Sequence, residues 1–335
     1  MASKRNTQTQ RRIRVLGTGG TIAGRRRGDH SDYVAGQVAV ADLLIGIAQP
    51  DGVALTAEQI AQVDSKDMDC ATWKTLALRC AQALADPGID GIVITHGTDT
   101  LEESAFFLHQ VLRARKPVVF ACAMRPADSP ESDGPRNLRD AIIVAAQMDV
   151  AGVMAVCAGR IHAAVEVRKV HSHQLDAFSS GEAGPLGEIN DGAVRWLRGN
   201  PAAPAALAAP ATPAPGLIEA IAATAAWPRV EIITSHAGAS GALIDHLVRE
   251  RASGESGAVR GLVLAATGNG TVHREIEAAA LRAQAAGIAI VRATRCADGG
   301  ILPRTGATLR DAGALSPVKA RIALMLELLT APVLD

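Results

Sequence analysis

The sequence predicts an α/β protein of two domains, the larger first, built on parallel sheet with helices on both faces. Three observations predict this. Short apolar runs rich in β-branched residues alternate with helical patterns. Three of those runs end in glycine-rich turns that also carry hydroxyl, carboxylate or amide side chains. An Ala/Pro-rich stretch then divides the chain. Strands alternating with helices pair in parallel, because each crossover helix returns the chain to the same edge.

Taken in order, the expected strands are 13–16, 91–95, 117–122, 152–157, 230–234, 261–265 and 288–293. The expected helices are 39–47, 71–85, 101–114, 137–147, 240–252, 272–286 and 316–329. The stretch 198–216, RGNPAAPAALAAPATPAPG, reads as the linker, since its prolines stop helices and favour extended chain. The expected organisation is therefore a basic leader over 1–12, a catalytic domain over 13–197, the linker, and a C-terminal domain over 217–335. The leader reads as disordered, with no apolar stretch of signal-peptide length behind it.

Composition removes several classes of function. A length of 335 residues with 48% hydrophobic content is too much for one small core and suits two domains. No window supplies the ~18 or more apolar residues of a membrane span. The formal net charge is zero, whereas a nucleic-acid binder carries a basic surplus. The five cysteines, Cys70, Cys80, Cys122, Cys157 and Cys296, are odd in number, widely spaced and without a CxxC. They read as buried free thiols of a reducing, cytoplasmic compartment rather than a disulfide frame or zinc site.

The first polar turn is Gly17-Thr18-Gly19-Gly20-Thr21-Ile22-Ala23-Gly24. It is not a dinucleotide fingerprint, because Ile22 stands where that pattern needs glycine, and it lacks the Gly-Lys-Ser/Thr of a phosphate loop. Glycines here let the backbone approach a substrate and leave room around Thr18 and Thr21. A threonine hydroxyl becomes a nucleophile when a neighbour takes its proton. The polar segment that follows resembles a lid, and it ends at Tyr33, the only tyrosine in the chain. By itself a lone tyrosine there reads as a half-buried surface ring. The second turn is Thr95-His96-Gly97-Thr98-Asp99-Thr100, followed by Leu101-Glu102-Glu103. Asp99 or Thr100 is placed to cap the helix, with Glu103 completing a capping box, which leaves Thr98 free for chemistry. His96 reads as a hydrogen-bonded core residue. The third turn is Ala266-Thr267-Gly268-Asn269-Gly270. Ligands of open α/β sheets sit at the carboxyl ends of strands, so these turns point to a shared cleft. Lys169 is the remaining candidate: near Thr98 and Asp99 it would complete a Thr–Asp–Lys relay, acting as a base if burial lowered its pKa.

GTGGTIAG and ITHGTDTLEE resemble the two signature motifs of bacterial-type L-asparaginases. Further matches are Asp32-Tyr33, Val63-Asp64-Ser65-Lys66-Asp67-Met68, Ala123-Met124-Arg125-Pro126, Asp133-Gly134-Pro135-Arg136-Asn137-Leu138, Gly184-Pro185-Leu186-Gly187, Gly268-Asn269-Gly270 and Ser316-Pro317-Val318-Lys319-Ala320-Arg321. The resemblance covers almost the whole chain. It implies an asparaginase-like fold, with a larger flavodoxin-like N-terminal domain and a smaller C-terminal α/β domain. It implies Thr21 as the nucleophile, Tyr33 over it on the lid, and Thr98, Asp99 and Lys169 as a second triad. Ser65 and Asp99 would bind the α-carboxylate and α-amino groups of the substrate, and the Ala123 backbone would lie beside the reacting amide. Asn269 would come from a neighbouring subunit of an intimate dimer, within a homotetramer. No cofactor or metal is implied; the partner is a small amino-acid amide.

Two departures concern substrate choice. Lys66 stands where the family usually has Gln or Glu; its cation either strengthens binding of the α-carboxylate or points away from it. The short segment 296–314 holds no glutamate to meet the substrate amine. L-asparaginase is thus the first reading, glutaminase-asparaginase or an amide-donor transamidation subunit the enzymatic alternatives, and an amino-acid sensor on the same fold the non-enzymatic one.

Overall fold

The computed structural model describes residues 10–27, 33–112, 114–198, 216–303 and 306–331. Most of the leader (1–9), residue Asp32 and nearly all of the expected linker (199–215) lie outside the described residues. The chain divides into two compact units, Met1–Ala214 and Pro215–Asp335.

The larger unit runs β1 (Arg11–Gly19), β2 (Arg25–Arg26), β3 (Tyr33–Val34), α1 (Val40–Leu43), β4 (Val53–Val63), α2 (Cys70–Ala85), β5 (Gly91–Thr95), α3 (Leu101–Val111), β6 (Pro117–Ala121), α4 (Gly134–Ala145), β7 (Gly152–Cys157), β8 (Arg160–Ala163), β9 (Arg168–Lys169), β10 (Phe178–Ser179), β11 (Gly187–Asn190) and β12 (Ala193–Trp196). Its main sheet has the order β12-β11-β8-β7-β6-β5-β1-β4. Five neighbouring strands, β4-β1-β5-β6-β7, are parallel. Numbered along the chain, those five stand in the order 2-1-3-4-5, the flavodoxin-like arrangement, whose switch point falls between β1 and β5. Every residue of β5, β6 and β7 is buried, as strands covered on both faces require.

Two features depart from the sequence reading. The sheet is mixed, because β8, β11 and β12 extend it antiparallel. These strands are four residues long, and two-residue turns whose central residues both have positive φ join β7 to β8 through Ala158 and Gly159 (50° and 75°) and β11 to β12 through Asp191 and Gly192 (49° and 80°). The Asp-Gly pair is a readable hairpin signal; Ala-Gly is not. Strand β4 was also outside the expected set. It is an edge strand, paired only with β1, and its run VALTAEQIAQV is too polar to stand out.

Helices follow local chemistry. Asp69 caps α2, accepting from Thr72 N at 2.7 Å, and that bond lowers its pKa. Trp73 of α2 stacks on Phe107 of α3 and donates to Ser104 Oγ at 2.8 Å, fixing one helix to the other. Helix α4 begins at Gly134, three residues before the expected start, because Pro135 suits the first turn. Helix α1 is one turn where nine residues were expected; Gly46 takes φ 81° just beyond it.

The smaller unit contains α5 (Leu217–Ala223), β13 (Val230–Thr234), α6 (Ala242–Ala252), β14 (Gly261–Ala266), α7 (Arg274–Ala285), β15 (Ala289–Thr294), β16 (Arg310–Asp311) and α8 (Pro317–Thr330). Its sheet, β13-β14-β15-β16, is parallel throughout. Its core gathers Leu262, Leu264, Ile276, Ala280 and Ile290 around the strands. No helix among the described residues is long and apolar enough to cross a membrane.

One buried amide ties the strand ends of the larger unit. Asn137, 1% exposed, donates to Cys122 O (2.9 Å) and Asp133 Oδ2 (3.1 Å), and its Oδ1 accepts from Ala158 N (3.1 Å). Asn137→Ala leaves two backbone groups unpaired, at about 1–3 kcal/mol each. Denaturant unfolding should show a loss of at least ~2 kcal/mol; a loss under ~0.5 kcal/mol would mean the bonds carry no stability.

Candidate active site

The strands flanking the switch point deliver their turns to one place. Strand β1 leads into a 3-10 turn over Thr21–Ala23, β5 into the turn 96–100, and β4 into a 3-10 turn over Ser65–Asp67. Backbone contact makes them converge. A methyl added at Gly20 would lie 2.2 Å from Gly97 Cα, and one at Gly97 would lie 2.4 Å from Ser65 Oγ. Gly20 also has φ 79°, which side chains disfavour. Gly20 N donates to Val63 O (2.8 Å), and Thr18 Oγ1 donates to Thr95 O (2.9 Å). Glycine at 20 and 97 is thus the condition for bringing Thr21 and Thr98 together.

Each hydroxyl has its partner. Thr21 Oγ1 and Tyr33 Oη are hydrogen-bonded at 2.8 Å. Thr21 is buried, whereas Tyr33 is 41% exposed. Lys169 Nζ donates to Thr98 Oγ1 at 2.8 Å and to Asp99 Oδ1 at 2.5 Å. The lysine is placed by a two-stranded ribbon, β9 with β10, in which it faces Phe178. Lys169 N donates to Glu102 Oε1 at 3.2 Å, from the first turn of α3. Beside the ribbon, buried His162 is bonded through Nδ1 to Ser180 Oγ at 2.9 Å.

Ser65 is 2% exposed and joins the same cluster, its Oγ accepting from Asp99 N at 3.2 Å. The expected cap of α3 is corrected here. Thr100 occupies the cap position, but its hydroxyl donates to Ser65 O (2.7 Å) rather than capping the helix. The residue with cap chemistry therefore locks the Ser65 turn to the Thr98 turn. Ala123 follows β6 and is fully buried. The next two backbone N–H groups, of Met124 and Arg125, both donate to Asp133 at 3.0–3.1 Å.

Two further sequence candidates have partners of their own. The Lys66 side chain is 61% exposed with its amine on Asp67. Asn269 belongs to the smaller unit, where its Oδ1 accepts from Leu302 N at 2.7 Å in a turn closed by the Thr267–Thr271 bridge. Sequence reading assigned no role to Glu102 or Asp133, although both lie inside matched motifs. Their signal is an acid beside a motif residue, and only contacts distinguish it from a surface charge. The cysteine reading is also corrected: Cys80, Cys122 and Cys157 are buried, but Cys296 is exposed. The hydrogen bond with the Cys157 thiol, followed by burial, holds the Cys122 thiol well above its ordinary range.

His96 is fully buried, with Nδ1 against Gly97 O at 2.7 Å, and burial lowers its pKa to about 4. It is a neutral support under the Gly97 turn.

The comparisons with known proteins give the class. The family model described as Asparaginase, N-terminal matches residues 12–202, and that described as Glutaminase/Asparaginase C-terminal domain matches residues 229–331. L-asparaginase 2 of Bacillus subtilis is 35% identical over 94% of this chain and 82% of its own length. The glutaminase-asparaginase of Pseudomonas fluorescens is 31% identical over 94% of this chain and 85% of its own length. A crystal structure of a probable cytoplasmic L-asparaginase from Campylobacter jejuni superposes with a TM-score of 0.82 at 33% identity, covering 96% of each chain. Fold, site and sequence define an amidohydrolase acting on linear amides. The chain belongs to the asparaginase family.

The buried histidines make acid sensitivity predictable. His96 and His162 both have pKa values lowered by burial to about 4, against about 6.5 when unfolded. Between those values the unfolded chain binds more protons, so stability rises with pH; it is complete above about 6.5 and lost as pH falls toward 4. Each ring is expected to take up nearly one proton on unfolding at pH 5.5. A midpoint of urea unfolding unchanged from pH 7 to 4.5 would contradict this.

Proposed function

We propose that this amidohydrolase hydrolyses L-asparagine to L-aspartate and ammonia through a covalent ester on Thr21. The observation that carries the reading is the pairing of each threonine with a proton-handling neighbour: Thr21 with Tyr33 at 2.8 Å, and Thr98 with Lys169 at 2.8 Å. In the proposed first step the Thr21 oxygen attacks the side-chain carboxamide carbon, and its proton passes to the Tyr33 oxygen. Backbone N–H groups of the Thr98 turn support the oxyanion; losing one such donor typically costs ~10²–10³ in rate. Collapse breaks the C–N bond as the leaving nitrogen takes the phenol's own proton, Tyr33 keeping the one received from Thr21, and ammonia departs. In the second step water attacks the ester, its proton entering the Thr98–Asp99–Lys169 relay, and Thr21 leaves with a proton restored. Two steps replace one harder hydrolysis. Ser65 and Asp99 hold the α-carboxylate and α-amino groups, and the Ala123 backbone orients the amide.

We place the enzyme in the cytoplasm, in keeping with the Campylobacter relative's description and the five free cysteines. We also propose a homotetramer of intimate dimers, in which Asn269 completes the neighbouring subunit's site; this extends the family resemblance of the Gly268-Asn269-Gly270 turn. Glutamine is the competing substrate, because the Pseudomonas fluorescens relative is named for both activities. Steady-state ammonia release from L-Asn, L-Gln and D-Asn tests the assignment: L-Asn is expected to have the highest kcat/KM, and no release from any of them would refute it.

Three substitutions test the residues. Thr21→Ala is expected to abolish ammonia release while leaving the melting transition within a few degrees; normal turnover would remove Thr21 from the nucleophile role. Gly97→Ala pushes the Ser65 and Gly20 turns away by the missing room, and a displacement near 1 Å costs about 10²-fold, so kcat should fall by that order. Lys66→Gln should change KM more than kcat, since Lys66 follows Ser65, the proposed α-carboxylate contact, and its amine is bonded to Asp67 rather than to either threonine; an equal fall in kcat and kcat/KM would assign it a role in the chemical step.

A further inference from the structure

We propose that Asp128 is a positioning residue whose carboxylate grips the β2 strand and, through it, holds the Tyr33 phenol on the Thr21 hydroxyl. Its kinetic consequence rests on the reading of Thr21 as nucleophile; its structural content does not.

Tyr33 is more than a third exposed. Its ring rests on Gly24, where an added methyl would stand 3.0 Å from Cδ2. A phenol with so little burial stays over Thr21 only if its strand is held. That strand, β3, is two residues long and pairs only with β2, with Arg26 directly opposite Tyr33. A ribbon of two residue pairs is not stable alone in water.

The segment after β6 supplies the hold. Ala127 N donates to Gly24 O at 3.0 Å. Two residues further along β2, the Arg26 N–H is shared between both oxygens of Asp128, at 3.0 and 3.1 Å. Residues 24 and 26 are thereby gripped one after the other, as a third strand would grip them. The residue held by the carboxylate is the cross-strand partner of Tyr33, so the grip acts at the position that sets the phenol. The segment is itself anchored, because Asp133 holds Met124 N and Arg125 N at the start of α4. The Arg26 guanidinium lies 3.7 Å from Asp128 with both side chains over 40% exposed, a geometry that contributes little. The charge-assisted bond to the backbone is therefore the working contact.

The test uses the single tyrosine. Full-length chain labelled with 3-fluorotyrosine gives one fluorine resonance, from Tyr33, with or without turnover. In Asp128→Ala that resonance is expected to move toward free 3-fluorotyrosine, or to broaden by exchange. The kcat for ammonia release should fall about tenfold, the worth of one charged hydrogen bond, with KM changed less than about twofold. Asp128→Asn keeps an oxygen for the Arg26 N–H and should show a smaller displacement. Arg26→Ala keeps the N–H and should leave the resonance in place. An Asp128→Ala resonance identical to the unsubstituted chain's overturns the proposal. So does an Arg26→Ala chain that reproduces the Asp128→Ala shift, since the side-chain pair would then be the grip. If the alanine chain does not fold, an unshifted Asp128→Asn resonance overturns the proposal equally. A shifted resonance in a protein that releases no ammonia from any amide would refute the hydrolase reading and leave the positioning role standing.

Discussion

Two glycines without side chains decide where this protein's chemistry takes place. Gly20 and Gly97 bring the turns after β1 and β5 into backbone contact, with Ser65 on the far side of Gly97. The order 2-1-3-4-5 separates crossovers to opposite faces at this point of the sheet, and the strand ends open a crevice there. Neighbouring strands lie ~4.8 Å apart, so turns that leave them without Cβ atoms can close over a substrate-sized gap. Thr21 and Thr98 are the residues just beyond those glycines, so each starts from a backbone held in that contact.

Around that contact the polar groups support one another from separate elements. Thr100 gives up its capping bond to hold Ser65, and Ser65 takes the Asp99 N–H. Glu102, one helical turn along, fixes the backbone of Lys169, whose amine closes on Thr98 and Asp99. The Asp133–Asn137 pair does the same for the Ala123 turn, tying the ends of β6 and β7. In each case the residue proposed for the reaction is held by a carboxylate, hydroxyl or amide from the next element. Buried polar groups that are fully paired rigidify a site in this way, because none can move without leaving a partner unsatisfied.

The two hydroxyls differ in how their partners are held. Lys169 comes from a ribbon braced by Glu102 and by His162 with Ser180. Tyr33 comes from a ribbon of the same length on the surface, braced by Ala127 and Asp128. The Tyr33 ring is exposed, whereas the Lys169 side chain is largely covered. Just beyond β3, Gly36 N and Gln37 N also donate to Gly20 O and Ala23 O, so the Tyr33 ribbon is tied to the Thr21 turn on that side as well.

Much of this was legible in the sequence. The parallel strands β5, β6 and β7 are continuous apolar runs bounded by glycine or proline, and periodicity locates them almost to the residue. The glycine-rich turns with Thr21, Thr98 and Asp99 were visible as polar strand ends, because glycine alone does not explain the hydroxyls beside it. Other features needed the fold. β4 hides its strand character because an edge position leaves only one of its eleven residues, Val53, fully buried. The antiparallel extension depends on two-residue turns, only one of which carries a standard signal. Thr100 reads as a helix cap in any local analysis, and only the approach of Ser65 from 35 residues away diverts its hydroxyl. Asp128 and Glu102 look like surface acids until the backbone N–H groups they hold are known. Sequence determines what a residue can donate, accept or accommodate. Which partner arrives is decided by long-range contact, since hydrogen bonds and van der Waals contacts act over a few ångströms, whatever the separation along the chain.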